Sequence, residues 1–333
     1  MKPEPTQQTL TEQIEEGIKA LELPEEPGLL YDPIRYTLSN GGKRIRPYLA
    51  VLAAGMCGGN HKEAIPAALA VELLHNFTLL HDDIMDGAKT RRGQPSVYAK
   101  WDVNTAILSG DVLFAEAFAR LNYYSDYSKF SPEVYKALNR QFLEASRIVC
   151  EGQAYDLEFE KQDTVSIDQY LNMIEAKTAK MLSTAMVMGG IVSGADEERL
   201  ELFDALGREA GIAFQIQDDL LDAVGKPGDF GKKIGGDIIE GKMTYLTIQA
   251  LNKANKEESG FLTEVLQNQA GTISETDIEK VVDLYQNLNV LDEAREAIEK
   301  YYNKAERYLE GLDNSEYKEQ LVNVLSTLAN RKI

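Results

Sequence analysis

Apolar residues recur along this chain at the three-to-four-residue spacing of an α-helix, and strict two-residue alternation never survives more than a few positions. The breaks are as informative as the repeats. Asn40–Gly41–Gly42 interrupts the pattern before a helix predicted to begin near Arg46–Pro47, and Gly58–Gly59–Asn60 closes that helix as a glycine C-cap would. From Pro66 to about Asp86 most faces are apolar, which predicts a buried helix. Ser131–Pro132–Glu133 reads as N-cap, first-turn proline and first-turn acid. Ser166 with Gln169 fits a capping box opening one helix through Tyr170 to Met188. Another helix is predicted from about Glu197 to Val224, ending near Gly225–Lys226–Pro227–Gly228, and helical patterning continues from Thr244 to the end. No Pro/Ser-rich linker, composition shift or solenoid-period repeat divides the sequence, so a single all-α domain over residues 1–333 is expected.

Charge changes this picture more than size does. Against 35 Lys plus Arg stand 54 Asp plus Glu, a net charge of −19. Such a surface repels nucleic acid and anionic lipid, so neither is expected as a partner, and an anionic substrate must be met by local cations or bound metal. Cys57 and Cys150 are too few for a disulfide framework and form no zinc-type cluster, so both are expected as buried, reduced thiols. The N-terminal MKPEPTQQTL lacks the apolar core of a signal peptide. The apolar stretch Met181 to Ala195 carries Ser183, Thr184 and Ser193 and is too short to span a bilayer. A cytoplasmic protein without stable membrane association is the expectation.

One short pattern occurs twice: Asp82–Asp83–x–x–Asp86 and Asp218–Asp219–x–x–Asp222. On a helix, residues four apart stack on one face, so the first and last carboxylates of each motif point together. Clustered carboxylates repel one another unless a hard divalent cation reverses the sign, and magnesium prefers carboxylate, phosphate and water oxygens. With 54 acids in the chain, about 1.4 acid–acid–x–x–acid matches arise by chance. Glu197–Glu198–Arg199–Leu200–Glu201 is one, and its charged surroundings mark it as a solvated helix start. With 21 aspartates, the all-aspartate form is expected only about 0.08 times, yet it occurs twice and each copy is flanked by bulky apolar residues, in FTLLHDDIMD and FQIQDDLLD.

Basic clusters accompany the acids. GGKRIRP carries Lys43, Arg44 and Arg46; KTRRGQP carries Arg91 and Arg92; FGKKIGGDIIEGKMT carries Lys232, Lys233 and Lys242. Arginine suits bidentate recognition of oxyanions and lysine supplies a point charge, so together with the aspartates these suggest a diphosphate site. GGKRIRP lacks the spacing of a P-loop and no G-x-G-x-x-G occurs, so a nucleotide is not indicated. His75, Thr78, Asp82 and Asp86 follow i, i+3, i+7, i+11 and share a helix face, which draws His75 into the site; a core histidine is the plainer alternative. Lys177 and Lys180 both lie in an apolar helical stretch, where one of them is expected to snorkel to solvent.

In order and spacing, GGKRIRP, ELLHNFTLLHDDIMD, RRG, Gly110–Asp111, GQAYDL, Lys177–Thr178, FQIQDDLLD and GKKIGGDIIEGKMT resemble the trans-prenyl diphosphate synthases, the polyprenyl synthetase family, across nearly the whole chain. The resemblance implies a large bundle of antiparallel helices around a deep central cavity, assembled as a homodimer. It implies magnesium-dependent condensation of isopentenyl diphosphate with an allylic diphosphate. Asp82, Asp86 and Asp218 would bind magnesium, with Asp83, Asp219 and Asp222 completing the sites directly or through water. Arg91, Lys177, Lys232 and Lys242 would contact the allylic diphosphate. Lys43, Arg46, His75 and Arg92 would hold isopentenyl diphosphate, and Thr178 and Gln215 would lie nearest the reacting carbons.

In that family the growing tail runs back along the helix of the first motif, and a bulky residue there stops elongation. Phe77, five residues before Asp82 at about 7.5 Å of axial rise, is the candidate floor, with Thr78 one position closer. One aromatic and no insertion in the first motif look like enzymes making the twenty-carbon product, with the fifteen-carbon product next. A terpene cyclase shares the fold but usually replaces the second motif, and a non-catalytic subunit typically loses one, so DDLLD and an intact GGKRIRP weigh against both. A helical scaffold would leave the paired aspartates unexplained.

Overall fold

The computed structural model describes residues 6–162, 164–225, 235–267 and 273–329. The helices in the first third are α1 (Gln7–Lys19), α2 (Gly28–Ser39), α3 (Ile45–Met56), α4 (Ile65–Met85), α5 (Val97–Lys100) and α6 (Val103–Ala119), with a hairpin of β1 (Thr90–Arg91) and β2 (Gln94–Pro95) before α5. Then come α7 (Pro132–Phe159), α8 (Ile167–Ile174), α9 (Lys180–Val192) and α10 (Glu197–Val224). The chain finishes with α11 (Gly236–Ile239), α12 (Tyr245–Lys253), α13 (Lys256–Gln267), α14 (Glu275–Asn287), α15 (Val290–Glu310) and α16 (Glu316–Ala329). The two-residue hairpin is the only sheet among the described residues.

Two compact units are built from these elements. The first comprises Met1–Arg147, Met181–Gly207 and Tyr308–Val324; the second comprises Ile148–Lys180, Arg208–Arg307 and Leu325–Ile333. In the first, α4 is the central helix, and Ala67, Ala68, Ala70, Val71, Leu73 and Leu74 are all buried. With the preceding turn, His61–Met85 is long and apolar enough to cross a membrane, yet 61% of its most apolar window is covered by protein, as in a core helix. Against it packs α1, whose Leu10, Ile14 and Ile18 repeat every four residues and are buried as one stripe. Small residues set the closest approaches: a Cβ on Gly189 would stand 2.0 Å from the Ala50 carbonyl oxygen. In the second unit, Tyr170 of α8, Tyr245 of α12 and Tyr285 of α14 are buried around the later half of α10.

The caps fall where the sequence puts them. Ser166 and Gln169 make a reciprocal capping box, and Gly58 adopts φ +73° just past α3, where left-handed backbone favours glycine. Glu197, Glu198 and Glu201 are exposed, as a solvated helix start should be.

Two expectations are corrected. The helix predicted without interruption through Tyr170 to Met188 is broken by a π-helical turn at Glu175–Ala179, between α8 and α9. The turn lies at a close backbone approach: a Cβ on Gly152 of α7 would lie 2.3 Å from the Lys177 nitrogen, so α7 runs against it directly. The hairpin at 90–95 is too short to register as alternation. Neither cysteine is in a disulfide, but Cys150 is exposed and Cys57 only half-buried, its thiol pushed up to about 11 chiefly by burial.

Candidate active site

In the first unit, α4 carries the stripe that the spacing predicts. Asp82 and Asp86 are half-exposed one turn apart, and the backbone N–H of Asp86 still donates to the Asp82 carbonyl at 2.8 Å. Asp83, about 100° round the helix, is 4% exposed. One of its oxygens accepts from Arg91 Nε at 2.8 Å and Nη2 at 2.5 Å. Arg91 is thereby fixed on the protein's own carboxylate, at the end of β1. The turn that follows needs positive φ at both central residues, Arg92 (+54°) and Gly93 (+73°), the combination a type I′ hairpin requires. It turns Arg92 back so that Nη1 donates to the Gly41 carbonyl. Gly42 leaves the space, since a Cβ there would stand 2.9 Å from Nη2 of Arg92.

GGKRIRP divides by burial: Lys43 is exposed, Arg46 half-buried and Arg44 buried. Arg46 Nη1 lies 3.2 Å from Nε2 of His75. A guanidinium can only donate, so His75 accepts through a deprotonated Nε2. Burial first, then Arg46, Arg92, Arg91 and Arg44, holds the His75 pKa well below the ordinary histidine value. Native His75 therefore stays neutral below pH 6.5 while the unfolded chain takes up the proton, so stability falls as pH drops from about 7 to 5. The contribution is at most about 1.4 kcal/mol per pH unit. Denaturant titrations at the two pH values should show a shallower slope in His75→Gln; an unchanged slope would mean that the native imidazole charges normally.

The second unit repeats the arrangement on α10. Asp218 and Asp222 are half-exposed one turn apart, whereas Asp219 is 5% exposed. Asp219 accepts from the Tyr170 hydroxyl at 2.6 Å, the Tyr245 N–H at 3.1 Å and Gln215 Nε2 at 3.0 Å. Burial and the Asp237 carboxylate push its pKa up to about 7, against those donors. Asp222 accepts from the Asp237 N–H at 2.9 Å. Thr178 is buried, and its hydroxyl donates to Gln215 Oε1 at 2.9 Å, extending the chain that ends on Asp219. In the π turn, Lys177 Nζ donates to Asp156 Oδ2 at 2.5 Å. Such a turn re-aims side chains within a helix and is a frequent device at functional sites. Lys242 pairs with Glu240 at 2.7 Å. Lys232 lies outside the described residues.

Six aspartates were candidates for metal; the structure divides them by environment. Among the described residues, no group of three or more His, Cys, Asp or Glu side chains forms a ready-made cage. What each unit offers is a pair of half-exposed carboxylates one helical turn apart. That donor set fits magnesium, which keeps several waters and takes one or two carboxylates together with substrate phosphates. Asp83 and Asp219 differ in being buried, with oxygens bonded to several protein donors. Phe77 packs edge-on to His81, with centroids 4.8 Å apart, and against Phe114 at 5.4 Å, while Thr78 donates to the His75 carbonyl at 2.9 Å. Sequence reasoning missed Asp156, Glu72, Tyr170 and Tyr245, which hold the candidate residues; Asp156 stands inside GQAYDL, and the others look like ordinary core or solvated positions.

In each unit a pair of half-exposed carboxylates shares an all-α frame with basic side chains, an arrangement suited to a diphosphate. Residues 27–285 match the polyprenyl synthetase family model, and the chain belongs to that family. It is 37% identical over 318 residues to a geranylgeranyl pyrophosphate synthase of Geoglobus acetivorans, covering 96% of both chains. A geranylfarnesyl diphosphate synthase of Natronomonas pharaonis is 33% identical over 323 residues, covering 92% of this chain and 91% of that one. A crystal structure of a geranylgeranyl pyrophosphate synthase superposes with TM-score 0.90 at 39% identity, over 99% of this chain and 100% of the other. The fold is the all-α isoprenoid synthase fold, and the protein is a prenyltransferase that makes short-chain prenyl diphosphates.

Proposed function

We propose that the enzyme joins isopentenyl diphosphate head-to-tail to an allylic diphosphate with magnesium, giving chiefly the twenty-carbon geranylgeranyl diphosphate. One observation carries this reading: in both motifs the first and last carboxylates are half-exposed, while the middle one is buried on protein donors. Asp82 with Asp86, and Asp218 with Asp222, would hold the ions. Bound magnesium supplies Lewis-acid stabilisation of charge on the departing diphosphate.

The chain's own residues do the rest. Arg91, Lys177, Lys232 and Lys242 bind the allylic diphosphate and favour its departure by stabilising the charge it gains. Lys43, Arg46, Arg92 and neutral His75 orient isopentenyl diphosphate so that its double bond attacks the allylic cation. A new carbon–carbon bond forms, the allylic carbon–oxygen bond having broken, and a proton leaves the condensed product for the released diphosphate. Thr178 and Gln215, fixed to each other and to Asp219, are the polar groups nearest the reacting carbons. Apolar surroundings keep water from the cation.

Acidic net charge supports cytoplasmic action without stable membrane association. An exposed apolar stripe on α6, with Val103, Ile107 and Leu108, supports a homodimer in which a second copy covers it. Labelled isopentenyl diphosphate should be incorporated with dimethylallyl, geranyl or farnesyl diphosphate as primer, giving predominantly twenty-carbon alcohols after dephosphorylation. Chelation should abolish incorporation, and the protein should sediment at twice the chain mass. A cyclic hydrocarbon product, or no elongation from any primer, would refute the reading.

A further inference from the structure

We infer that Arg44 is a positioning residue for the isopentenyl diphosphate side of the reaction: without touching substrate, its guanidinium registers the Lys43–Arg46 turn against the helix that carries His75. The inference rests on the proposed binding roles of Lys43, Arg46 and His75.

The turn is strained. Gly41 and Gly42 have φ of +70° and +147°, and Arg44, the residue immediately before α3, has φ +46°. A non-glycine residue stays in the left-handed region only where its surroundings over-determine it. Here the surroundings are the side chain's own partners. Arg44 is 1% exposed along its side chain, and all three of its nitrogens are bound to different helices. Nε donates to Glu15 Oε1 on α1 at 2.7 Å. Nη1 donates to Glu72 Oε1 on α4 at 2.6 Å. Nη2 donates to the Leu38 carbonyl in the last turn of α2 at 2.8 Å. One guanidinium thus joins three helices in front of a fourth.

Glu72 is what gives this a functional direction. It precedes His75 by three residues on α4, so the Arg44–Glu72 pair fixes the helix within one turn of the imidazole. Asn76, the next position, donates to Glu72 Oε1 at 3.2 Å and to its carbonyl at 2.7 Å, holding that carboxylate in place. Two residues beyond Arg44, Arg46 meets His75 at 3.2 Å. The segments bearing Lys43, Arg46 and His75 are therefore held in register by a buried, substrate-independent ion pair. A planar fork with three directed bonds does this where a lysine ammonium would not.

The test separates positioning from mere stability. In Arg44→Met the carboxylate of Glu72 loses its guanidinium, and the melting temperature should fall; in Arg44→Met/Glu72→Gln that buried charge is gone and most of the loss should be recovered. The Michaelis constant for isopentenyl diphosphate should stay raised by about tenfold or more in both variants, while that for the allylic primer changes less than about twofold. Glu15→Gln, which removes charge at the partly exposed end only, should give a smaller shift of the same kind in a protein that folds normally. If both Michaelis constants are wild-type in the double variant, Arg44 serves stability alone and the inference fails. Arg46→Ala is the control for the underlying reading. If it leaves the isopentenyl diphosphate constant unchanged, the site assignment is wrong; if it raises that constant while the Arg44 and Glu15 variants do not, only the positioning role is wrong.

Discussion

Asp82→Ala and Asp218→Ala each lose about three or more orders of magnitude in turnover, because each removes metal-borne charge stabilisation worth several kcal/mol. The expectation follows from position as well as from chemistry. Both side chains stand on the half-exposed face of their helices with a second carboxylate one turn away. Melting temperature should change little in either variant, since neither carboxylate is buried. Glu197→Ala and Glu201→Ala are the matched controls: the same acid spacing on an exposed helix start should leave turnover within about twofold. Wild-type turnover in Asp82→Ala or Asp218→Ala, or a large loss in the controls, would place the chemistry elsewhere.

Phe77→Ala changes product length, and Thr78→Tyr changes it in the opposite direction. Along α4, Thr78 lies about 6 Å from Asp82 and only about 40° round the axis, whereas Phe77 is about 140° round. Phe77 reaches toward α6, where its ring meets Phe114, itself 6.1 Å from Phe142 of α7. If this aromatic group closes the tail pocket, Phe77→Ala opens it, and products lengthen by one or more five-carbon units at a comparable initial rate. Thr78→Tyr adds bulk on the Asp82 face and should shorten them. If Phe77 is only packing, its loss costs about 3 kcal/mol as a cavity and the products stay as they were. Chromatography of the dephosphorylated alcohols, read beside the melting temperature of the same sample, separates these outcomes.

How much of this could be read from the sequence varies with the physical signal. The helix of Asp82 and the helix of Asp218 were legible because long apolar periodicity and capping residues are local properties. The paired aspartates were legible because their recurrence in apolar settings is improbable. What escaped was set by tertiary approach. The π turn at Lys177 lies where Gly152 lets another helix come close, and nothing in the 3.6-residue pattern of residues 167–188 encodes that contact. The shared face of the outer carboxylates was legible from their spacing, but the partners of the middle ones were not. Asp82 and Asp83 are chemically identical, and only the fold shows that Asp83 is the one buried on Arg91 of β1. Nothing in the residue pattern said what Arg44 does beside Lys43 and Arg46; its burial and its three partners do.

Central to the proposed function is that the outer carboxylates of each motif, not the middle ones, hold the metal. Manganese binding, followed by electron paramagnetic resonance in the presence of a non-ionisable allylic diphosphate analogue, tests it most directly. Asp82→Asn and Asp218→Asn should each weaken ion binding by about a hundredfold or more, and clearly more than Asp83→Asn, whose side chain sits on Arg91. Equal loss of bound manganese in Asp83→Asn and Asp82→Asn would contradict the claim.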